Sequence, residues 1–147
     1  HRMEMIGKKD RVLFVNDSKA TNADSTEKAL SSFSSDIYWI VGGKAKDGGI
    51  EALRPHFSRV AKAYLVGASS DDFAHTLEGQ VAYSRCGTID NAVMQAYGDA
   101  QKSHAVEPVV MLSPACASYD QFPNFEVRGD YFRSLAQAII DTIPNPA

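Results

Sequence analysis

At residues 11–22 the sequence reads RVLFVNDSKATN, an apolar run that changes abruptly into a polar loop. The apolar run is rich in residues that favour strands, and the polar residues from Asn16 onward end it. Residues 25–33 then have the apolar spacing of a helix, which Ser25 can cap. A strand, a polar loop and a helix in this order predict one βα unit of a parallel sheet.

The same alternation continues along the chain. It predicts further strands at residues 37–41, 63–66, 81–83 and 108–112. It predicts further helices at residues 50–60, 71–78, 88–102 and 130–143, with Pro55 near the first turn of its helix or interrupting it. Residues 3–6, a turn at 7–10 and the strand from residue 11 have the pattern of a β-hairpin. We therefore predict an α/β fold, a doubly wound, Rossmann-like three-layer sandwich with about six strands, mostly parallel, and one antiparallel edge strand.

Composition limits the class of protein. The chain has 147 residues, 44% of them hydrophobic, which suits a single domain over residues 1–147. Fifteen basic and 18 acidic residues give a net charge of −3, which does not favour a nucleic-acid partner. No apolar run is long enough for a membrane span, and two cysteines, Cys86 and Cys116, favour reduced thiols in a cytoplasm. Because the chain begins at His1 instead of Met, we interpret it as a piece of a longer protein.

Three polar loops follow predicted strands, at residues 16–22, 42–49 and 113–129. In sheets of this kind, ligands bind outside the carboxyl ends of the strands. Taken singly, the lysines of these loops are ordinary surface residues and the glycines ordinary turn residues. Taken together at one edge, lysines, hydroxyls and glycine-freed backbone amides predict an anion-binding site.

Several motifs that indicate a specific cofactor, metal or nucleophile are absent from the sequence or incomplete. There is no G-x-x-x-x-G-K-[ST] phosphate loop and no G-x-G-x-x-G dinucleotide motif. His56, His75 and His104 are far apart, and no pair has the spacing of metal ligands, so we predict no metal site. Cys116 follows a strand among small residues, as a nucleophile does, but no histidine occupies a similar loop to activate it. A small buried thiol is the interpretation we favour.

Two long motifs resemble the Mur ligases of bacterial cell-wall synthesis, and among them the members that add D-glutamate. They are DSKATN at residues 17–22 and LSPACASYDQF at residues 112–122, with NFEVRGD behind at residues 124–130. His1 and Arg2 resemble the link from the family's central ATPase domain into its carboxy-terminal domain. The resemblance covers the whole chain. It implies the C-terminal, amino-acid-binding domain of a three-domain ligase, with the N-terminal and central ATPase domains outside these residues.

The resemblance also implies a reaction and its partners. The full enzyme would use ATP and Mg²⁺ to phosphorylate the terminal carboxylate of UDP-N-acetylmuramoyl-L-alanine. The amine of D-glutamate would then attack the acyl phosphate, giving an amide, ADP and phosphate for peptidoglycan synthesis in the bacterial cytoplasm. We expect this chain alone to be a monomer that retains no cofactor, has no ligase activity and has no nucleic-acid or membrane partner.

The resemblance assigns roles by position in the motifs. It implies that Arg2, Asp17 and Lys19 meet the ribose or the phosphates of ATP. The positions implied around D-glutamate are Thr21, Lys46, Ser118, Tyr119 and Phe125. Of these, Tyr119 and Phe125 would act largely through their backbone, and Tyr119 stands where other members often carry Leu or Phe. Both Lys44 and Lys46 follow the glycines of the middle loop, and we favour Lys46 by position. No residue of this chain is assigned as catalytic.

The sequence alone also allows other functions. The chain could be a binding module that presents an anion pocket without catalysis, or a small α/β hydrolase that uses Cys116 or Ser118. Within the family, a member that adds L-alanine, a diamino acid or a dipeptide is a further alternative. The deciding observation is whether Lys19, Lys46 and Ser118 reach the same edge of the sheet.

Overall fold

Alternating apolar and polar segments form a six-stranded sheet in the computed structural model, which describes residues 1–142. The strands are β1 (Glu4–Lys9), β2 (Val12–Asn16), β3 (Ile37–Gly42), β4 (Lys44–Ala45), β5 (Val60–Val66), β6 (Tyr83–Gly87), β7 (Val109–Leu112) and β8 (Cys116–Ala117). The sheet order is β1-β2-β7-β3-β5-β6, and β4 pairs with β8 separately. Among the described residues, the β1–β2 pair is the only antiparallel pair of the large sheet. The predicted mostly parallel α/β sheet with one antiparallel edge strand is confirmed.

Helices cover both faces of the sheet. They are α1 (Ala23–Ser31), a 3₁₀ helix (Glu51–Arg59), α2 (Ser70–Leu77), α3 (Ile89–Lys102) and α4 (Phe125–Ile140). The first three pack on one face around Trp39, and α3 and α4 pack on the other around Tyr64. The central strands are therefore buried on both sides, which explains their continuous apolar sequences. Within residues 1–142, no helix has the length and apolar character needed to cross a bilayer.

The helix predicted at residues 50–60 is a 3₁₀ helix instead of an α-helix, and strand β5 already begins at Val60. Pro55 lies inside it, and a proline in an α-helix removes one backbone hydrogen bond and clashes with the preceding turn. Bonds to the third residue back replace the α-helical pattern; for example, the Leu53 amide donates to the Ile50 carbonyl at 3.0 Å.

Side-chain caps shift the ends of two predicted helices. The prediction that Ser25 caps α1 is wrong, because Asn22 is the cap and its side chain accepts from the Ser25 amide at 2.9 Å. Helix α4 starts at Phe125, five residues before the predicted start, because Asn124 caps it and accepts from the Val127 amide. The helix ends at Ile140, and residue 143, its predicted end, lies outside the described residues.

Two strand boundaries also differ from the prediction. β1 continues to Lys9, so the hairpin turn is shorter than the predicted one and centres on Asp10, whose φ is +55°. The strand predicted at residues 81–83 is β6, at Tyr83–Gly87. Because β6 is a partly exposed edge strand with polar residues, no apolar run marks it.

Gly42 ends β3 opposite Val66 of β5, where the two backbones approach closely. Its φ is +130°, and a Cβ at this position would overlap the backbone carbonyl of Val66. The next residue, Gly43, begins the middle polar loop, so this close approach fixes where that loop leaves the sheet.

We predict that Gly42→Ala lowers the free energy of unfolding by at least about 2 kcal/mol, because alanine adds backbone strain and overlap with backbone atoms. Gly98→Ala is the matched control. Gly98 lies inside α3 with open space beside its Cα, so alanine there should raise the free energy of unfolding by about 0.5–1 kcal/mol. Urea unfolding followed by circular dichroism measures both, and an unchanged Gly42→Ala midpoint would contradict the close approach.

Candidate functional site

Three polar loops meet at one edge of the sheet. The strands β2, β7 and β3 are neighbours and run parallel, so their carboxyl ends lie side by side. The segments that follow them, residues 17–22, 113–124 and 43–50, therefore occupy the same edge. This is the position at which ligands bind in open α/β sheets.

A pocket of about 210 Å³ lies between these loops, and we call it the loop pocket. Its lining residues are Thr21, Lys46, Ala117, Ser118, Tyr119 and Phe125. The structure thus brings together all five residues that the motifs imply for D-glutamate. The Lys46 ammonium lies 3.4 Å from the Thr21 hydroxyl oxygen, which links the first loop to the second.

The loop pocket offers groups that suit a small carboxylate. Ser118 is only 3% exposed, and within residues 1–142 its hydroxyl makes no hydrogen bond, so it is free to donate to a ligand. In the same part of the chain, no carboxylate lies within ion-pair distance of Lys46. Tyr119, 69% exposed, stands at the rim. A cation and two hydroxyls therefore converge on one small cavity.

The pairing of β4 with β8 separates the two candidate lysines. Lys44 lies in β4 opposite Ala117, is exposed, and does not line the loop pocket. Lys46 follows that strand and lines it. A two-residue strand has no readable periodicity, so the sequence could not predict this pairing.

A second pocket of about 160 Å³ lies between the N-terminal segment, the first loop and α1, and we call it the α1 pocket. It contains the three residues that the motifs imply for ATP, Arg2, Asp17 and Lys19. Lys46 and Ser118 thus share the loop pocket, while Lys19 lines the α1 pocket. The sequence predicted one anion-binding site at this edge of the sheet. The structure has two pockets there, joined by residues 19–21.

Asp17 fixes the wall of the α1 pocket. It is 3% exposed, and its two oxygens accept hydrogen bonds from the Met3 amide at 3.1 Å and from the Ser113 hydroxyl at 2.7 Å. Burial raises the pKa of the Asp17 carboxyl, and these two hydrogen bonds oppose that rise. Asp17 therefore ties the N-terminal segment and the third loop to the first loop.

Arg128 is a site residue that the sequence reasoning missed. It is 2% exposed, and its guanidinium donates to the Ser18 carbonyl at 2.6 Å, the Ser18 hydroxyl at 2.9 Å and the Cys116 carbonyl at 3.0 Å. Among residues 1–142 no carboxylate lies within ion-pair distance of it. The sequence contained one indication that Arg128 is buried. It precedes Phe132 and Ala136 at intervals of four residues, which places all three on the buried face of α4.

The Arg128 charge contributes to the electrostatics of the site. Burial lowers the pKa of its guanidinium to about 10, so the group stays cationic at neutral pH. Its three bonds reach the first loop and β8, which continues directly into Ser118. A buried positive charge bonded to the Cys116 carbonyl, two residues before Ser118, favours an anionic ligand in the loop pocket.

The geometry does not support a hydrolase. Cys116 is fully buried, its sulfur lies 3.8 Å from the Ser69 hydroxyl, and burial raises its pKa to about 11. None of the groups that shift its pKa is a histidine, and within residues 1–142 the Ser118 hydroxyl bonds to no base. The same residues contain no group of three His, Cys, Asp or Glu side chains placed to hold a metal ion.

Similarity to known proteins agrees with this architecture. A family model described as "Mur ligase, glutamate ligase domain" matches residues 1–116. The chain belongs to the Mur ligase family. The resemblance read from its loop motifs is thereby confirmed.

Mur ligases with similar sequences share one name, UDP-N-acetylmuramoylalanine–D-glutamate ligase. The protein of Nitrobacter winogradskyi is 59% identical over 144 residues, which are 98% of this chain and 31% of that protein. The protein of Mesorhizobium japonicum is 60% identical over 139 residues, 95% of this chain and 30% of that protein. That of Brucella abortus (strain 2308) is 57% identical over 144 residues, with the same shares as the first. The chain spans a little under a third of the length of these curated relatives.

We expect Arg128→Met to lower the free energy of unfolding by about 2–4 kcal/mol, because the buried Ser18 and Cys116 carbonyls lose their donors. Arg128→Lys should recover only part of this loss, since one ammonium cannot donate to all three acceptors that the planar guanidinium reaches. Arg133→Met on the same helix is the control. Its ion pair with Glu4 is half-exposed, so it should cost within about 1 kcal/mol. Similar losses for Arg128→Met and Arg133→Met in urea unfolding would refute the anchoring role.

We also expect both thiols to be unreactive in the folded chain. With a pKa of about 11, roughly 0.1% of Cys116 is thiolate at pH 8, against about a quarter for an ordinary thiol. Burial raises the pKa of Cys86 as well. DTNB at pH 8 should therefore label native protein far more slowly than urea-unfolded protein. In Cys86→Ala, Cys116 is the one remaining thiol. Fast labelling of this native variant would support Cys116 as a nucleophile and contradict the prediction.

Proposed function

We propose that this chain is the C-terminal, amino-acid-binding domain of a three-domain ligase that adds D-glutamate to UDP-N-acetylmuramoyl-L-alanine in peptidoglycan synthesis. The names of its relatives support this activity. The observation that carries the proposal is the convergence of Thr21, Lys46 and Ser118, from three separate loops, on one pocket of about 210 Å³.

The pocket matches the chemistry of D-glutamate, which has two carboxylates. Lys46 supplies a positive charge in the pocket lining, and the buried Arg128 guanidinium, which donates to the Cys116 carbonyl two residues before Ser118, supplies a second one. The hydroxyls of Thr21 and Ser118 supply directional donors. A hydrogen bond to a charged group contributes roughly 1.5–3 kcal/mol, so two or three of them can hold a small dianion.

The role of the domain in the proposed reaction is positioning. ATP transfers its terminal phosphoryl group to the carboxylate of the nucleotide substrate. The D-glutamate nitrogen then forms a bond to the carbonyl carbon, the bond from that carbon to the phosphate oxygen breaks, and the amine loses a proton. Holding the amine against the acyl phosphate is a proximity effect, and it requires no nucleophile from this chain.

The α1 pocket is the proposed nucleotide half-site. Arg2 and Lys19 would meet the ribose or phosphates of ATP. Asp17 keeps free lone pairs beyond its two internal bonds, because a carboxylate can accept about four, and one of these can take a ribose hydroxyl. Residues 1–142 contain no group of three His, Cys, Asp or Glu side chains that could hold Mg²⁺ by themselves, so we derive no step through a metal.

D-Glutamate binding to the chain, measured by calorimetry, tests the proposal. Lys46→Ala should weaken binding on the order of 10–100-fold, because the pocket loses a charge-assisted bond. Lys44→Ala is the matched control: this lysine, two residues away, lies outside the pocket, so its loss should leave the affinity unchanged.

L-Glutamate should bind more weakly than D-glutamate, because three loops hold the donors at fixed positions. Equal binding of the two isomers, or equal affinities for Lys46→Ala and Lys44→Ala, would count against the proposed amino-acid site. In that case a general anion-binding module would be the better description.

A further inference from the structure

The α1 pocket contains a third cation that the family motifs leave without a role. Lys28, in the last turn of α1, lines it together with Arg2 and Lys19. Within residues 1–142, none of these three cations has a carboxylate within ion-pair distance. Surface lysines that point into open water are common, but three unpaired cations around one cavity repel one another.

The fold holds Lys28 at this position. Its neighbours Ala29 and Leu30 are fully buried in the core, so the backbone of Lys28 is fixed. Asn22 caps the helix, and Ser25, one turn earlier on the same side of the helix, also lines the pocket. Core packing and a capped helix therefore fix the backbone from which the Lys28 side chain extends at the pocket.

The positive charge of the residues that line the α1 pocket favours a polyanionic ligand. Within the described residues 1–142, Asp17 is the pocket's only acidic lining residue, and it is buried and engaged by the Met3 amide and the Ser113 hydroxyl. Three cations against one carboxylate leave an excess of positive charge at neutral pH. The volume of about 160 Å³ is far above the roughly 10–15 Å³ that one water needs, so a phosphate group fits.

We propose that Lys28 is a phosphate-binding residue, so that the α1 pocket holds a phosphate group of a nucleotide between Lys28, Lys19 and Arg2. The nucleotide part of this inference rests on the proposed function. The phosphate part rests on the cations and the cavity alone. A free phosphoanion has the same chemistry as a nucleotide's phosphates, so the test must separate the two.

The test is a titration of the ¹⁵N-labelled chain by NMR with ADP, inorganic pyrophosphate and adenosine. Lys28→Ala should raise the Kd of ADP and of pyrophosphate roughly two- to fivefold, the range for one solvent-accessible ion pair. It should not change the Kd of adenosine, and Lys28→Arg should restore ADP binding. Added salt should weaken ADP binding less in Lys28→Ala than in the parent chain.

Lys102→Ala is the control, because Lys102 occupies the corresponding last turn of α3 and does not line the α1 pocket. An ADP affinity of Lys28→Ala equal to that of Lys102→Ala would overturn the role of Lys28. If Lys19→Ala still weakened ADP in that case, the nucleotide half-site would survive.

Two further outcomes separate the inference from the function on which it rests. Equal affinities for ADP and pyrophosphate, with no response to adenosine, would overturn the nucleotide assignment and leave a free phosphoanion as the ligand. D-Glutamate titrated into Lys28→Ala should bind as it does to the parent chain. Failure of the parent chain to bind D-glutamate would instead count against the proposed function.

Discussion

A buried guanidinium, which has no carboxylate within ion-pair distance among residues 1–142, holds the functional edge together. Arg128 reaches from α4 to Ser18 in the first loop and to Cys116 in β8, so three elements that are distant in sequence meet at one group. Removing such a charge from water costs several kcal/mol, and three hydrogen bonds offset part of that cost. The arrangement ties the first loop and β8 to α4 and places a buried positive charge next to the strand that leads into Ser118. Gly43 supports this packing, because a Cβ there would crowd Cys116 and the backbone of Ala117.

The first loop contributes to both pockets. Asp17, Lys19 and Ala20 line the α1 pocket, and the next residue, Thr21, lines the loop pocket, so the two sites are adjacent along the chain. Bonds from Asp17 to Met3 and Ser113, and from Arg128 to Ser18, fix this segment at two points. A nucleotide and an amino acid bound at these places would be neighbours. The proposed condensation requires this, since its rate depends on holding an amine against an acyl phosphate.

Strands buried on both faces were predictable, and exposed or capped elements were not. Residues 12–15 and 37–41 are continuous apolar runs because helices cover both of their sides. Edge strand β6 has one partner strand and a polar sequence, so its position was misjudged. Helix α4 begins where the Asn124 side chain caps it, and Pro55 converts another helix to 3₁₀ geometry; both effects depend on single residues that periodicity does not weigh. The resemblance already divided the site residues into two sets, and the structure shows that each set lines a pocket of its own.

The sequence by itself determined the doubly wound sheet, the loops that carry the polar residues and the family, because apolar periodicity and contiguous motifs are local properties. Only the tertiary structure decided that Lys46 lines the loop pocket while Lys44 does not, that Arg128 lies buried beside that pocket, and that Lys28 joins Arg2 and Lys19. These facts depend on contacts between residues far apart in the chain; Ser18 and Arg128 are separated by 110 positions. Strand β7 lies between β2 and β3 in the sheet, and this order brings the distant segments together. No local pattern of residues specifies how closely these segments approach one another.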